Sequence, residues 1–385
     1  LIIVMNILIN RTNTENKGAE LMLYAVLKEL ERIHPDANVI LPYTGFEEGL
    51  SYIQTSIKLL FRKGKWLYDI LDKSYLLRIG KKLSLPLLYF TDMHAVKNIN
   101  YFIDAGGFQF SDQIGYRINT PKRWEKILST YKKQGTKIIF LPQAFGPFKK
   151  EIGKNLMRII CKYSDLVFAR DEISYQYLME CGINRNNIYI APDFTLFVHG
   201  YCPKQYEHLK NGVAIIPNLR MVDKGIVAYN EYIKVMENLI NQCKKAGHQA
   251  FLLNHEGKDD EKLCLRIVEE LTDRIEIVTG LNALEVKGVI ENCYAVISSR
   301  FHGVASALSQ AVPVLATSWS HKYELLFKDY KIKDAIINIG DESYLQKLSM
   351  ILDEKANVKY RELLHKSHAT ITNQITDMWK CVWNI

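Results

Sequence analysis

The sequence predicts an α/β protein built on two parallel sheets. Three observations carry that expectation. The chain has 385 residues, two to three times the length of an ordinary domain. Apolar runs of about four to eight residues alternate with helix-period segments through most of it. A polar, broken stretch near the middle separates one series of such runs from another.

The first series of predicted strands is Met5 to Ile9, Asn38 to Leu41, Asn100 to Asp104, Lys137 to Leu141, Leu166 to Ala169 and Ile188 to Ile190. The second is Val213 to Ile216, Gln249 to Leu253, Ile275 to Val278, Ala295 to Ser298, Pro313 to Ala316 and Ala335 to Asn338. Between them, residues 199–212 hold Gly200, Pro203, Lys204, Lys210 and Gly212 and read as an interdomain linker. The expected organisation is an N-terminal domain over 1–198, a C-terminal domain over 213–355, and a last helix over 356–385 packing back on the first domain.

Composition narrows the function classes. With 48% apolar and 24% charged residues the chain is of ordinary globular type, neither disordered, collagenous nor coiled-coil. No run approaches the roughly 18 apolar residues of a spanning helix. Leu1 to Ile9 lacks a basic flank and is followed by Asn10 and Arg11, so it reads as a first strand, and a cytoplasmic location is expected. Seven cysteines without metal-ligand spacing read as reduced thiols, and the Asn10-Arg11-Thr12 sequon carries no weight without secretion.

Ligands of open parallel sheets bind outside the carboxyl ends of the strands, so the loops leaving those ends are where site residues are sought. In Val296-Ile-Ser-Ser-Arg300-Phe-His302-Gly303, a buried strand delivers Ser299 and Arg300 to a turn, and a helix starts at once. Hydroxyls, a guanidinium, an imidazole and free helix N–H groups converge there, a constellation suited to phosphate or carboxylate. For His302 the bland alternative is a capping or packing histidine. Arg220 follows the strand Val213 to Ile216 and suits the same anion, or is an ordinary surface arginine. Arg170 ends another strand, either at a ligand or bridged to Asp171 or another local carboxylate.

Asn16-Lys17-Gly18-Ala19-Glu20 joins the first strand to a helix without a GxGxxG or GxxxxGK[ST] pattern, which disfavours dinucleotide and P-loop sites. Gly106 and Gly107 after Asp104 permit close approach of a ligand to the backbone. Gln143 and Asp193 close two further strands. There is no DxD pair, and no metal is expected.

Residues 58–82 carry eight Lys/Arg against Asp69 and Asp72, interleaved with Phe61, Trp66, Tyr68 and Tyr75, while the whole chain is only +8. Such a basic amphipathic segment suits the anionic inner face of a membrane, with peripheral attachment, or a solvated helix pair packed on the first domain. No nucleic-acid motif accompanies it, so no nucleic-acid partner is expected.

Together, Asn16-Lys-Gly18-Ala-Glu20, Gly106-Gly107, Pro142-Gln143-Ala-Phe-Gly146-Pro147, Ala169-Arg170-Asp171, Asp193, Arg220 and Ser299-Arg300-Phe-His302-Gly303 resemble the polysaccharide pyruvyltransferase family, from the first strand to about Tyr330. Ala19 stands where many relatives carry an acidic residue, so no catalytic role is assigned to that loop. The resemblance implies a GT-B-like pair of Rossmann-like domains facing across a cleft. It also implies phosphoenolpyruvate as donor, no cofactor, and an acceptor sugar in a lipid-linked or nucleotide-linked precursor of an exopolysaccharide or capsule. The product would be a pyruvate ketal.

For that chemistry His302 fits the general acid, and Arg300 and Arg220 fit clamps on the donor's anionic groups. Ser299, Gly303 and Lys322 are donor-side candidates. Glu20, Asp104, Gly106, Gly107, Gln143, Arg170 and Asp193 are acceptor-side candidates, with the base open among Asp193, Asp104 and Glu20. Two other readings share these features: a glycosyltransferase or sugar-nucleotide hydrolase of the same architecture, and a noncatalytic protein that binds a glycan or lipid head group.

Overall fold

Among the described residues every strand pairing is parallel, and the strands form two sheets. The computed structural model describes residues 4–42, 46, 50–61, 98–183, 186–271, 274–317, 321–332, 334–339, 341 and 343–385. The chain divides into two compact units. The first comprises Leu1–Glu15, Met22–Thr195 and Ile375–Ile385, the second Asn16–Leu21 and Leu196–Gln374.

In the first unit, β1 (Asn6–Asn10), β2 (Asn38–Leu41), β3 (Lys58–Phe61), β4 (Tyr101–Asp104), β5 (Lys137–Gln143), β6 (Leu166–Ala169) and β7 (Ile188–Ile190) are ordered β3-β2-β1-β4-β5-β6-β7. Helices α1 (Lys17–Ile33), α2 (Thr120–Lys133), α3 (Glu151–Tyr163) and α4 (Glu172–Glu180) connect them. The strands are continuous apolar runs because helices cover both faces of a parallel sheet; Leu166–Ala169 is buried throughout. On α2, Trp124, Ile127, Leu128 and Tyr131 recur at helical spacing and join Phe102 and Phe140 in the core.

The second unit repeats the plan with β8 (Val213–Ile216), β9 (Ala250–Leu253), β10 (Ile277–Val278), β11 (Ala295–Ser298), β12 (Val314–Thr317) and β13 (Ile336–Ile337), ordered β10-β9-β8-β11-β12-β13. Its helices are α5 (Tyr229–Lys245), α6 (Gly257–Glu270), α7 (Ala283–Glu291), α8 (Phe301–Ser309), α9 (His321–Asp329), α10 (Ser343–Leu352) and α11 (Glu354–Trp383). Both units are Rossmann-like and together make the GT-B-like two-domain architecture. In each sheet the winding reverses once, between β1 and β4 and between β8 and β11, and such a switch point is where a ligand crevice opens.

The units divide differently from the sequence expectation. The chain enters the second unit after Thr195, and residues 199–212 belong to that unit. They are packed, not a free linker: Tyr201 N–H donates to the Leu284 carbonyl at 3.1 Å, and Leu209 is buried. Gly200 and Gly288 let two backbones approach so closely that a Cβ at either would overlap the other segment. The stretch is polar because its outer side faces solvent.

The last helix, α11, begins at Glu354 and contributes to both units, with Ile375 onward in the first. There the Trp379 and Trp383 rings stack at 5.9 Å, and Trp383 Nε1 donates to Glu29 Oε1 at 3.0 Å. The basic segment also begins differently. Lys58–Phe61 is the edge strand β3, paired with β2, whereas residues 62–82 lie outside the described residues. No described helix is long and apolar enough to cross a membrane.

Candidate functional site

The second sheet gathers its chemistry at the β8/β11 switch point. Beyond β8, Asn218 Nδ2 donates to the Ser299 carbonyl at 2.9 Å, tying the loop after β8 to the turn after β11. Beyond β11, Ser298 Oγ accepts from the Arg300 N–H at 3.0 Å and donates to its carbonyl at 2.9 Å, fixing the residue at which α8 starts. Gly303 is required by packing, since a Cβ there would stand 2.5 Å from Ser298 Oγ and 3.0 Å from Ile216 Cδ1.

Arg300 lies between two carboxylates of the second unit. Asp260, wholly buried on α6, accepts from Arg300 Nε at 2.7 Å and pairs with Nη2 at 2.6 Å, and its other oxygen accepts from Leu219 N at 3.1 Å. That carboxylate therefore orients the guanidinium and the loop carrying Arg220 together. Glu256, three residues past the end of β9, pairs with Arg300 Nη1 and also accepts from the Asn16 amide. Burial pushes the Glu256 carboxyl above its ordinary range, opposed by the Arg300 charge. For Arg300 burial disfavours the charge, but the Asp260 hydrogen bond and Glu256 leave its pKa raised.

The turn opening α1 belongs to this unit as well. Asn16 caps it, Oδ1 accepting from Ala19 N at 3.0 Å, and Gly18 lies directly against the His302 imidazole. Glu20 is wholly buried, 3.0 Å from Lys17 Nζ; burial raises its pKa while Lys17 opposes. Glu20, an acceptor-side candidate from sequence, lies in the second unit with Arg300 and His302, because the first turn of α1 packs on α7, where the Ala283 backbone bonds it.

Arg220 opens a single helical turn, Arg220–Asp223, half-exposed and 2.5 Å from Asp223, an i,i+3 pair that a ligand can displace at little cost. Ser299 departs from its expected donor-side role. Its hydroxyl is buried and shared by Tyr232 at 2.8 Å and Thr317 at 2.5 Å, so it holds the turn together and is not presented to a ligand. Lys322 falls in α9, and its side chain lies outside the described residues.

His255, Glu256 and Asp260 were not singled out from sequence. Asn254-His255-Glu256 carries no motif, yet it follows a predicted strand, and the carboxyl-end rule applied to that strand finds it. His255 is buried, and its pKa lies well below the ordinary 6.5, first through burial and then through the charges of His302, Arg300 and Lys17.

The first unit carries a second constellation at the β1/β4 switch point. Asp104, wholly buried, accepts from Asn10 Nδ2 at 2.9 Å, Gln143 Nε2 at 3.2 Å and Gly106 N at 3.3 Å, with Arg11 Nε at 3.6 Å. Burial raises its pKa, and Arg11 opposes that shift. Arg11 takes a left-handed φ of 66° and spreads over Phe110 and Trp124. Gly106 permits the turn, since a Cβ there would stand 2.8 Å from Gln109 Cγ; beside it a Cβ at Gly107 would press on the flexible end of Met22.

Arg170 does not pair with Asp171, which caps α4 through Ser174 N at 2.7 Å. It reaches Asp193 at 3.2 Å, and Asp193 also accepts from Thr195 Oγ1 at 2.6 Å. The arrangement matches the structural alternative weighed for Arg170, with a different local carboxylate.

Comparison with known proteins gives these features a context. The sequence profile of the family described as Polysaccharide pyruvyl transferase matches residues 16–321. The amylovoran biosynthesis protein AmsJ of Erwinia amylovora is 20% identical over 305 residues, 72% of each chain. Among solved structures, UDP-GlcNAc 2-epimerase from Neisseria meningitidis bound to UDP-GlcNAc aligns with TM-score 0.58 at 12% identity, over 99% of this chain and 100% of that one. HepE from Anabaena in complex with UDP and glucose aligns with TM-score 0.57 at 12% identity, over 99% and 98%. These structures share the fold.

Proposed function

The chain belongs to the polysaccharide pyruvyl transferase family, and from that premise we propose that it moves pyruvate from phosphoenolpyruvate onto two hydroxyls of one sugar in a surface-glycan precursor. The relative from amylovoran biosynthesis supports an exopolysaccharide precursor as the acceptor class. The observation that carries the donor assignment is the second-unit site: Arg300 oriented by Asp260, His302 in the first turn of α8, and Lys17 and Arg220 beside them.

In this reading His302 protonates the methylene carbon of phosphoenolpyruvate, which becomes a methyl group. A sugar hydroxyl attacks the adjacent carbon, the C–O bond to phosphate breaks, and a second hydroxyl closes the ketal. Of the two hydroxyl protons, one ends on the methyl group by way of His302 and the other leaves with phosphate. Arg300 and Arg220 hold the anionic groups and stabilise the departing phosphate. The step as written needs no cofactor. Each of the three carboxylates considered as base is paired with a cation, Asp193 with Arg170, Asp104 with Arg11 and Glu20 with Lys17, and none is assigned that role.

The test is turnover of phosphoenolpyruvate with lipid-linked and nucleotide-linked glycan precursors, following phosphate release and the new ketal methyl resonance by NMR. Phosphate release with ketal formation, lost in His302→Ala, supports the reading; glycosyl transfer from a nucleotide sugar without ketal formation overturns it. A lipid-linked acceptor suits the basic run at 58–82, and sedimentation with anionic liposomes that is indifferent to neutralising Arg62, Lys63 and Lys65 would count against membrane attachment.

A further inference from the structure

His255 is the residue the proposed chemistry does not use and the fold does not explain. It lies two residues beyond β9, the strand next to β8, and is 3% exposed. Among the described residues neither Nδ1 nor Nε2 has a hydrogen-bond partner. A neutral imidazole carries one N–H donor and one acceptor, and the great majority of buried polar groups are paired, so a histidine with both nitrogens orphaned is a poor choice for packing. An apolar ring of similar size would fill the same volume without an unsatisfied group.

The surroundings indicate what the imidazole is for. The groups whose charge bears upon it are His302, Arg300 and Lys17, on α8, at the end of β11 and on the first turn of α1. The following residue, Glu256, holds the carboxylate that Arg300 and the Asn16 amide grasp. A buried, uncharged imidazole among cations has its natural partner in an anionic oxygen, to which its N–H donates.

We propose that His255 is a ligand-contacting residue of this site, whose imidazole N–H donates a hydrogen bond to an anionic oxygen of bound phosphoenolpyruvate. The proposal rests on the donor assignment above and adds a contact to it. His255 is thereby distinct from His302: it binds and orients, while His302 exchanges the proton.

Calorimetric titration of phosphoenolpyruvate and inorganic phosphate into wild type, His255→Phe and His255→Gln, with thermal unfolding of each unliganded protein, tests this. The expected result is a dissociation constant for phosphoenolpyruvate roughly tenfold weaker in His255→Phe, partly recovered in His255→Gln, which keeps an N–H donor. The unliganded His255→Phe protein unfolds at the same temperature as wild type or higher, which a structural histidine would not allow. A His255→Phe protein that binds with wild-type affinity while Arg220→Ala loses binding overturns the proposal and leaves the donor assignment standing. A wild type that does not bind phosphoenolpyruvate overturns both. Should His255→Phe fail to fold, the imidazole nitrogen NMR resonances of His255 in wild type decide: a shift on adding phosphoenolpyruvate supports the contact, and unchanged resonances overturn it.

Discussion

Gly18 and His302 are in direct apposition: a methyl group at residue 18 would overlap the imidazole ring. The first turn of α1 and the first turn of α8 meet there, and the absence of a side chain at Gly18 is what gives the ring its position.

Gly18→Ala should therefore act as a positional lesion on His302. Turnover is expected to fall by up to roughly a hundredfold, the scale of a misplacement of about 1 Å, with phosphoenolpyruvate affinity held within about threefold. Steady-state kinetics beside calorimetry separates the two, and an unchanged kcat would remove His302 from the proton-transfer role.

The two arginines differ in what their removal does. Arg300→Ala leaves the wholly buried Asp260 without its cation, and the loss in stability should be about 3–5 kcal/mol. Arg220→Ala breaks only a half-exposed i,i+3 pair and should change stability by less than about 1 kcal/mol while weakening donor binding about tenfold. Chemical denaturation with calorimetry on both variants checks this; equal stability losses would contradict it.

Glu256 holds a negative charge against Arg300 within the proposed donor site. Glu256→Gln keeps the shape and removes that competing charge, so phosphoenolpyruvate should bind roughly fivefold tighter, the equivalent of about 1 kcal/mol. Weaker binding in the variant would mean that the carboxylate assists the ligand.

His255 also predicts a pH dependence. Its folded pKa is depressed well below 6.5 by burial and by His302, Arg300 and Lys17, with the Glu256 carboxylate also nearby in sequence. Below 6.5 the unfolded chain takes up the proton more readily than the folded one, so stability falls as pH drops. Relative to His255→Phe, wild type should lose on the order of 1 kcal/mol between pH 7.5 and 5.5. Parallel pH profiles for the two proteins would contradict the depressed pKa.

The fold was largely legible because strands buried on both faces leave continuous apolar runs: Val213–Ile216, Leu166–Ala169 and Ala295–Ser298 stand where the pattern put them. Lys58–Phe61 was hidden because an edge strand beside a dense run of lysines reads as part of a basic amphipathic segment. In the site, Arg300 and His302 announced themselves by their place after a buried strand. Their partners did not: Asp260 and Glu256 sit about forty residues earlier, and ion pairing over that separation leaves no local pattern. The burial of Glu20 and Ser299 was hidden for a related reason, since tertiary packing takes a polar side chain into the interior without changing its local sequence.

The most direct measurement is thermal unfolding of the wild-type chain with phosphoenolpyruvate and, separately, with UDP. A ligand present at about a hundredfold its Kd adds roughly 2.7 kcal/mol to the folded state. The account predicts a clear rise in Tm with phosphoenolpyruvate that is diminished in Arg220→Ala. A rise with UDP alone would contradict it and make the arginine and histidine cluster a diphosphate site.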